Sequence, residues 1–104
     1  MNIYGLEKTL LHIRTNIVEE VIALMQKYDC TEINCANSDL VVIPDNIEDS
    51  YSYYLKKVAI EPNDGVKVYF SNRIDNDYCS LRGFDTDTML EIAKWLYDNE
   101  NYLF

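Results

Sequence analysis

Four side chains in this sequence are of the types that build a zinc site or a nucleophile–base pair: His12, Cys30, Cys35 and Cys79. Structural zinc favours close Cys-x2-4-Cys pairs. Cys30 and Cys35 have four residues between them, but that gap lies in the entry to a strand. Cys35 and Cys79 fall on the apolar phase of alternating segments, which reads as small core residues. His12 sits in the middle of a helical pattern with no Ser or Cys beside it, so no nucleophile–base arrangement is suggested. Asp75-Asn76-Asp77 begins like a calcium loop. The fifth, sixth and twelfth positions then hold Cys79, Ser80 and Thr86, where such a loop wants Asp or Asn, Gly and Glu. A polar hairpin turn is the better reading. The carboxylate pairs Glu19-Glu20, Glu48-Asp49 and Asp85 with Asp87 stand in polar context, without the burial that tunes a pKa for acid–base work. With no phosphate-cradling glycine loop either, the sequence predicts no enzyme, no cofactor and no metal site.

The chemistry that remains is recognition. Nine of the 104 residues are tyrosine. If two helices cover one face of a sheet, the other face carries Tyr53, Leu55, Tyr69 and Tyr78, with Lys57, Lys67 and Arg82 between them. Tyr and Arg are favoured at interfaces, so these residues predict a protein-binding face, used mainly for self-association as a homodimer. The plainer reading is a solvated sheet face with cross-strand tyrosine pairs. Base stacking on such a platform is disfavoured by the net charge of −9, from 18 acidic and 9 basic residues, because phosphate contacts need Lys and Arg. Anionic membranes are disfavoured for the same reason. The acidic surplus supplies a rival: an inhibitor that imitates nucleic acid and binds a basic protein through Asp45, Glu48, Asp49, Asp75, Asp77, Asp85 and Asp87.

Composition bounds the class. Apolar residues make up 48% and charged residues 26%, with three Gly and two Pro. That is globular, with little room for a linker, and its length suits a single domain over residues 1–104. Three cysteines at irregular spacing give no disulfide framework. Charges interrupt the apolar stretch of MNIYGLEKTLLHIR, so it reads as neither secretion signal nor membrane anchor. Both points predict a cytoplasmic protein.

The elements that must position the tyrosine face follow from periodicity. Gly5 to Asp29 reads as a helix, with Leu6, Leu10, Ile13, Ile17 and Leu24 on one stripe and Leu11, Val18, Val21, Ile22, Met25 and Tyr28 beside it. Asn16 with Glu19 resembles a capping box, so a break or kink near Thr15-Asn16 is weighed against a continuous helix, which is preferred. Short strands follow at Thr31 to Cys35 and at Leu40 to Ile43, bounded by Pro44. Asp45 to Ser50 is an acidic loop. Tyr53 to Glu61 and Val66 to Ser71 form a hairpin. A loop Asn63-Asp64-Gly65, with Gly65 at positive φ, would pair Ile60 with Val68 and Val58 with Phe70. Glu61 would then fall beside Lys67 and Ala59 beside Tyr69. Asp77 to Arg82 alternates again, with Cys79 and Leu81 inward. A second helix begins at Asp85 or Thr86, with Asp85 as cap, Phe84 and Met89 as a hydrophobic staple, and Met89, Ile92, Ala93 and Leu96 on its buried face. The expected fold is therefore α+β, with a long N-terminal helix, an antiparallel sheet of about five strands and a C-terminal helix, both helices on one face.

This layout, closing on GFDTDTMLEIAKWLYD, resembles small proteins encoded by phages and mobile elements of bacteria. The resemblance implies no activity and transfers no functional residue.

Overall fold

The structure, a computed structural model, describes residues 3–42, 52–63 and 65–104, with side chains from residue 12 onward. The expected acidic loop from Asp45 to Ser50, Ile43 and Pro44 before it, Tyr51, and the side chains of Leu6, Leu10 and Leu11 lie outside the described residues.

Helix α1 (Ile3–Lys27) runs through Thr15-Asn16 without interruption. Its side chains Ile17, Val18, Val21, Leu24 and Met25 are buried, the recurrence of a core-facing stripe. Asp29 ends the helix in the left-handed conformation, with φ 51°. Cys30 N–H donates to the Met25 carbonyl at 3.0 Å and Asp29 N–H to that of Gln26 at 3.2 Å, which satisfies carbonyls that the helix leaves open.

The five strands among the described residues are antiparallel. β1 (Glu32–Asn34) and β2 (Val41–Val42) both pair with β3 (Tyr53–Ile60), β1 at residues 57–59 and β2 at residues 53–54. They are two pieces of one broken edge. β4 (Val66–Ser71) lies on the other side of β3, and β5 (Asn76–Ser80) forms the far edge. A 3-10 turn, Leu81–Gly83, then leads to helix α2 (Thr86–Asp98) and the short α3 (Glu100–Leu103). Asp85 caps α2 by accepting from Thr88 N–H at 2.7 Å, and Phe84 and Met89 are both buried as the staple requires.

Both helices cover one face of the sheet. Met89, Ile92, Ala93 and Leu96 of α2 join the α1 stripe and the inward strand residues Ile33, Val58, Val68 and Phe70 in one core. Arg14 ties the layers by donating to the Arg82 carbonyl at 2.6 Å, and the Tyr97 hydroxyl donates to the Glu20 carbonyl at 2.9 Å. The α+β architecture expected from the sequence is the one observed.

Two details of the central hairpin differ from expectation. The observed partners are Ile60 with Val66, Val58 with Val68 and Ala59 with Lys67, a slip of two residues. Glu61 N–H donates to the Gly65 carbonyl at 2.9 Å, so Gly65 closes the ladder and Pro62 falls inside the connection. Proline has no N–H to give a ladder and a φ pre-set for a turn, which explains the preference. No glycine among the described residues has positive φ, so Gly65 is not the left-handed bulge residue expected. A Cβ built on Gly65 would lie nearest the Glu61 Oε2 atom, at 3.1 Å, the far end of a flexible side chain. Gly65→Ala therefore carries no positive-φ cost.

The second difference is a bulge in β3. The register shifts between Leu55, opposite Phe70, and Lys57, opposite Tyr69. One extra residue, Lys56, reverses the side-chain alternation upstream of it. Tyr53 and Leu55 turn into the core at 4% and 0% exposure, and Tyr54 turns out. At the other end of the sheet, the last expected strand stops at Ser80, and Leu81 is buried from the 3-10 turn instead.

Candidate functional site

The outer sheet face, away from the helices, holds a compact aromatic and cationic cluster. Tyr69 on β4 lies opposite Lys57 on β3 and opposite Tyr78 on β5, so three side chains from three strands form one row. The two tyrosine rings are 5.5 Å apart at 41°. Lys57 Nζ stands 4.4 Å from the Tyr69 ring centre. Lys67, two residues before Tyr69 and on the same face, places Nζ 4.6 Å from the Tyr78 ring and 6.0 Å from that of Tyr69. Ammonium groups at this range are attracted by the negative face of the ring. Glu32 on the adjacent strand reaches Lys57 Nζ at 3.5 Å, an exposed pair worth little by itself. Tyr78 is 56% exposed. The cluster can stack flat groups, cover apolar side chains and meet carboxylates.

Of the four residues expected to form this face, the structure brings together Tyr69 and Tyr78. Tyr53 and Leu55 belong to the core, where Tyr53 packs edge-on against Phe70 with ring centres 5.2 Å apart. The bulge is the reason. In their place the outer face gains Tyr54, opposite the exposed Val41 of β2. Sequence reasoning missed both, although a signal existed. Unbroken alternation would have pointed Lys56 into the core.

The other candidates are dispersed. His12 is exposed on α1. Among the described residues no three His, Cys, Asp or Glu side chains converge where they could hold a metal ion. Cys35 is buried, and burial pushes its thiol up to about 12. Cys30 is half-buried and its thiol is raised by burial and by the charge of Asp29. The segment before Asp75-Asn76-Asp77 is a hairpin turn: Asn72 Oδ1 accepts from Ile74 N–H at 2.8 Å and from Asp75 N–H at 2.7 Å. Among the described residues no helix is long and apolar enough to cross a membrane.

No family model matches the chain, and no curated protein or solved structure matches it significantly.

Proposed function

We propose that this chain is a small non-enzymatic interaction module of the cytoplasm that binds an acidic surface of a partner protein through Tyr69, Tyr78, Lys57 and Lys67. The observation that carries the reading is the pair of tilted, neighbouring tyrosine rings held under two lysines on the sheet face opposite the helices. Such side chains are pinned before binding, so docking loses less conformational freedom. Tyrosine is also among the residues that dominate interface energies. Charge selects the occupant. The chain as a whole carries −9, so two copies repel in bulk, while this face presents Lys67, and Lys57 shared with Glu32, to an incoming carboxylate. Self-association as a homodimer is the other occupant the same experiment detects. The free thiols Cys30 and Cys35 suit a reducing compartment.

The test is capture from lysate, with light scattering of the protein alone. Capture should be lost for Lys67→Glu and for Tyr78→Ala and kept for Lys94→Glu on α2. It should weaken as added salt shortens the Debye length to ~3 Å near 1 M. Capture indifferent to both outer-face substitutions would refute the reading. A stable dimer of the unmodified chain would move the occupant to a second copy.

A further inference from the structure

A second concavity lies at the β1 edge of the sheet, away from Tyr69 and Tyr78. It is a cleft of about 430 Å³ between the turn after β1, the α2 face and α3, lined by Asn34, Cys35, Asn37, Trp95, Tyr102 and Leu103. That volume is in the range of small-molecule sites, which combine aromatic walls with a few placed polar groups. In a chain where 26% of residues are charged, none of the cleft's lining side chains is Asp, Glu, Lys, Arg or His.

The polar groups have defined spare capacity. Asn34 Oδ1 accepts from Ala36 N–H at 2.8 Å, which leaves the Asn34 amide NH2 to donate. Asn37 Nδ2 donates to the Tyr102 hydroxyl oxygen at 2.9 Å, which leaves Asn37 Oδ1 to accept and the Tyr102 hydroxyl proton to donate. The walls are fastened to each other. The Asn37–Tyr102 bond joins the β1–β2 turn to α3. The tail is anchored on the end of α1 and the turn after it by Lys27 to Glu100 at 2.5 Å, by the Tyr28 hydroxyl on Glu100, and by the Tyr28 and Phe104 rings stacked 4.0 Å apart.

We propose that this cleft binds a neutral, planar heterocycle with a lactam edge, the chemistry of a free nucleobase or nucleoside. The ring lies against the Trp95 indole, its carbonyl accepts from the Asn34 amide NH2, and its N–H donates to Asn37 Oδ1. Bases are recognised in this way elsewhere, by aromatic stacking combined with hydrogen bonds along the base edge. A phosphate has no cation in the lining to meet, and the net charge of the chain repels it.

The test uses the whole chain and its only tryptophan, Trp95, read by fluorescence and by its indole N–H resonance. Uracil, uridine and uridine monophosphate are the probes. Uracil and uridine should give a saturable change, and the monophosphate should bind at least ~10-fold more weakly. Asn34→Asp keeps an oxygen for Ala36 N–H but replaces the donor with a carboxylate. It should weaken uridine by at least ~10-fold with the unfolding midpoint retained. Lys94→Ala, on the far flank of Trp95, should leave binding unchanged. The proposal is overturned by no saturable response to uracil or uridine, by equal binding to the folded Asn34→Asp variant, or by tighter binding of the monophosphate.

Discussion

Leu55→Ala puts the bulge in β3 to a direct test. Were the alternation of β3 unbroken, Leu55 would lie on the outer face and its truncation would change stability by less than ~0.5 kcal/mol. In the structure it is fully buried opposite Phe70, within the core shared by the sheet and both helices. Removing a buried leucine's methyl-bearing branch costs roughly 2–5 kcal/mol, and more where the walls cannot collapse. Leu55 is flanked by the backbone of a central strand, which resists collapse, so about 3–4 kcal/mol is expected. For a domain this long the whole stability is of order 5–15 kcal/mol. The loss corresponds to a fall in Tm of roughly 10–25 °C. Urea unfolding followed by far-UV circular dichroism measures it, and an unchanged slope confirms that the unfolding transition is the same one. Tyr54→Ala, one residue away and facing out, should cost far less. A Leu55→Ala loss below ~1 kcal/mol, or a Tyr54→Ala loss above it, would refute the phase reversal.

Three further outcomes follow from local geometry. Asp85→Ala should cost ~1 kcal/mol through loss of the α2 cap. The Thr88 N–H holds the Asp85 carboxyl below its ordinary value of 3.8, so the cap's contribution is full above that value and disappears as pH falls through the lowered one. A difference between wild type and variant that persists well below that window would count against it. Asp29→Gly should raise stability by about 1 kcal/mol, since it relieves a Cβ at φ 51° and removes an acid from a helix C-terminus. Asp29→Ala, which keeps the Cβ, should gain less than Asp29→Gly in the same denaturant titration. Cys35, its thiol pushed up to about 12, should stay unlabelled by a thiol reagent at mild alkaline pH until the chain is unfolded, because the thiolate is the reactive form. Mass mapping of the labelled cysteines decides this, and prompt labelling of native Cys35 would refute its burial.

The elements that periodicity located correctly are those whose signal is long or doubly marked. Helix α1 has a stripe sustained over many turns. Helix α2 has a cap, a staple and an apolar face that all agree. The errors arose where one residue changes the phase. A strand's alternation has period two, so a single inserted residue exchanges its faces. The pattern in β3 contained the warning: Lys56-Lys57 cannot both face solvent in an unbroken strand, and Leu55 would be turned outward in exchange. Pro62 marked the hairpin connection in the same way, and its missing N–H outweighed the attraction of Gly65 as a left-handed residue.

Those two local choices decide the character of the outer face. In the expected register Lys67 would lie beside Glu61, and Tyr69 beside Ala59, so Lys67 would be ion-paired and no lysine would stand opposite Tyr69; in the structure the ion pair is Lys57 with Glu32. In the observed register Lys67 lies opposite Ala59 and Ser80, and Lys57 comes opposite Tyr69. Both ammonium groups are thereby brought over tyrosine rings, and Glu61 is moved to the closing pair with Gly65. The bulge withdraws Tyr53 and Leu55 at the same time. The expected face of Tyr53, Leu55, Tyr69 and Tyr78, with Lys57, Lys67 and Arg82 between them, contracts to Tyr69 and Tyr78 with Lys57 and Lys67 over their rings and Glu32 beside Lys57. A two-residue slip leaves every side chain on its expected face, so hydrophobic patterning cannot detect it. Charge pairing misleads as well, since Glu61 beside Lys67 favours the register that is not formed; what decides the slip is Pro62, which has no N–H to give the ladder and a φ pre-set for the turn.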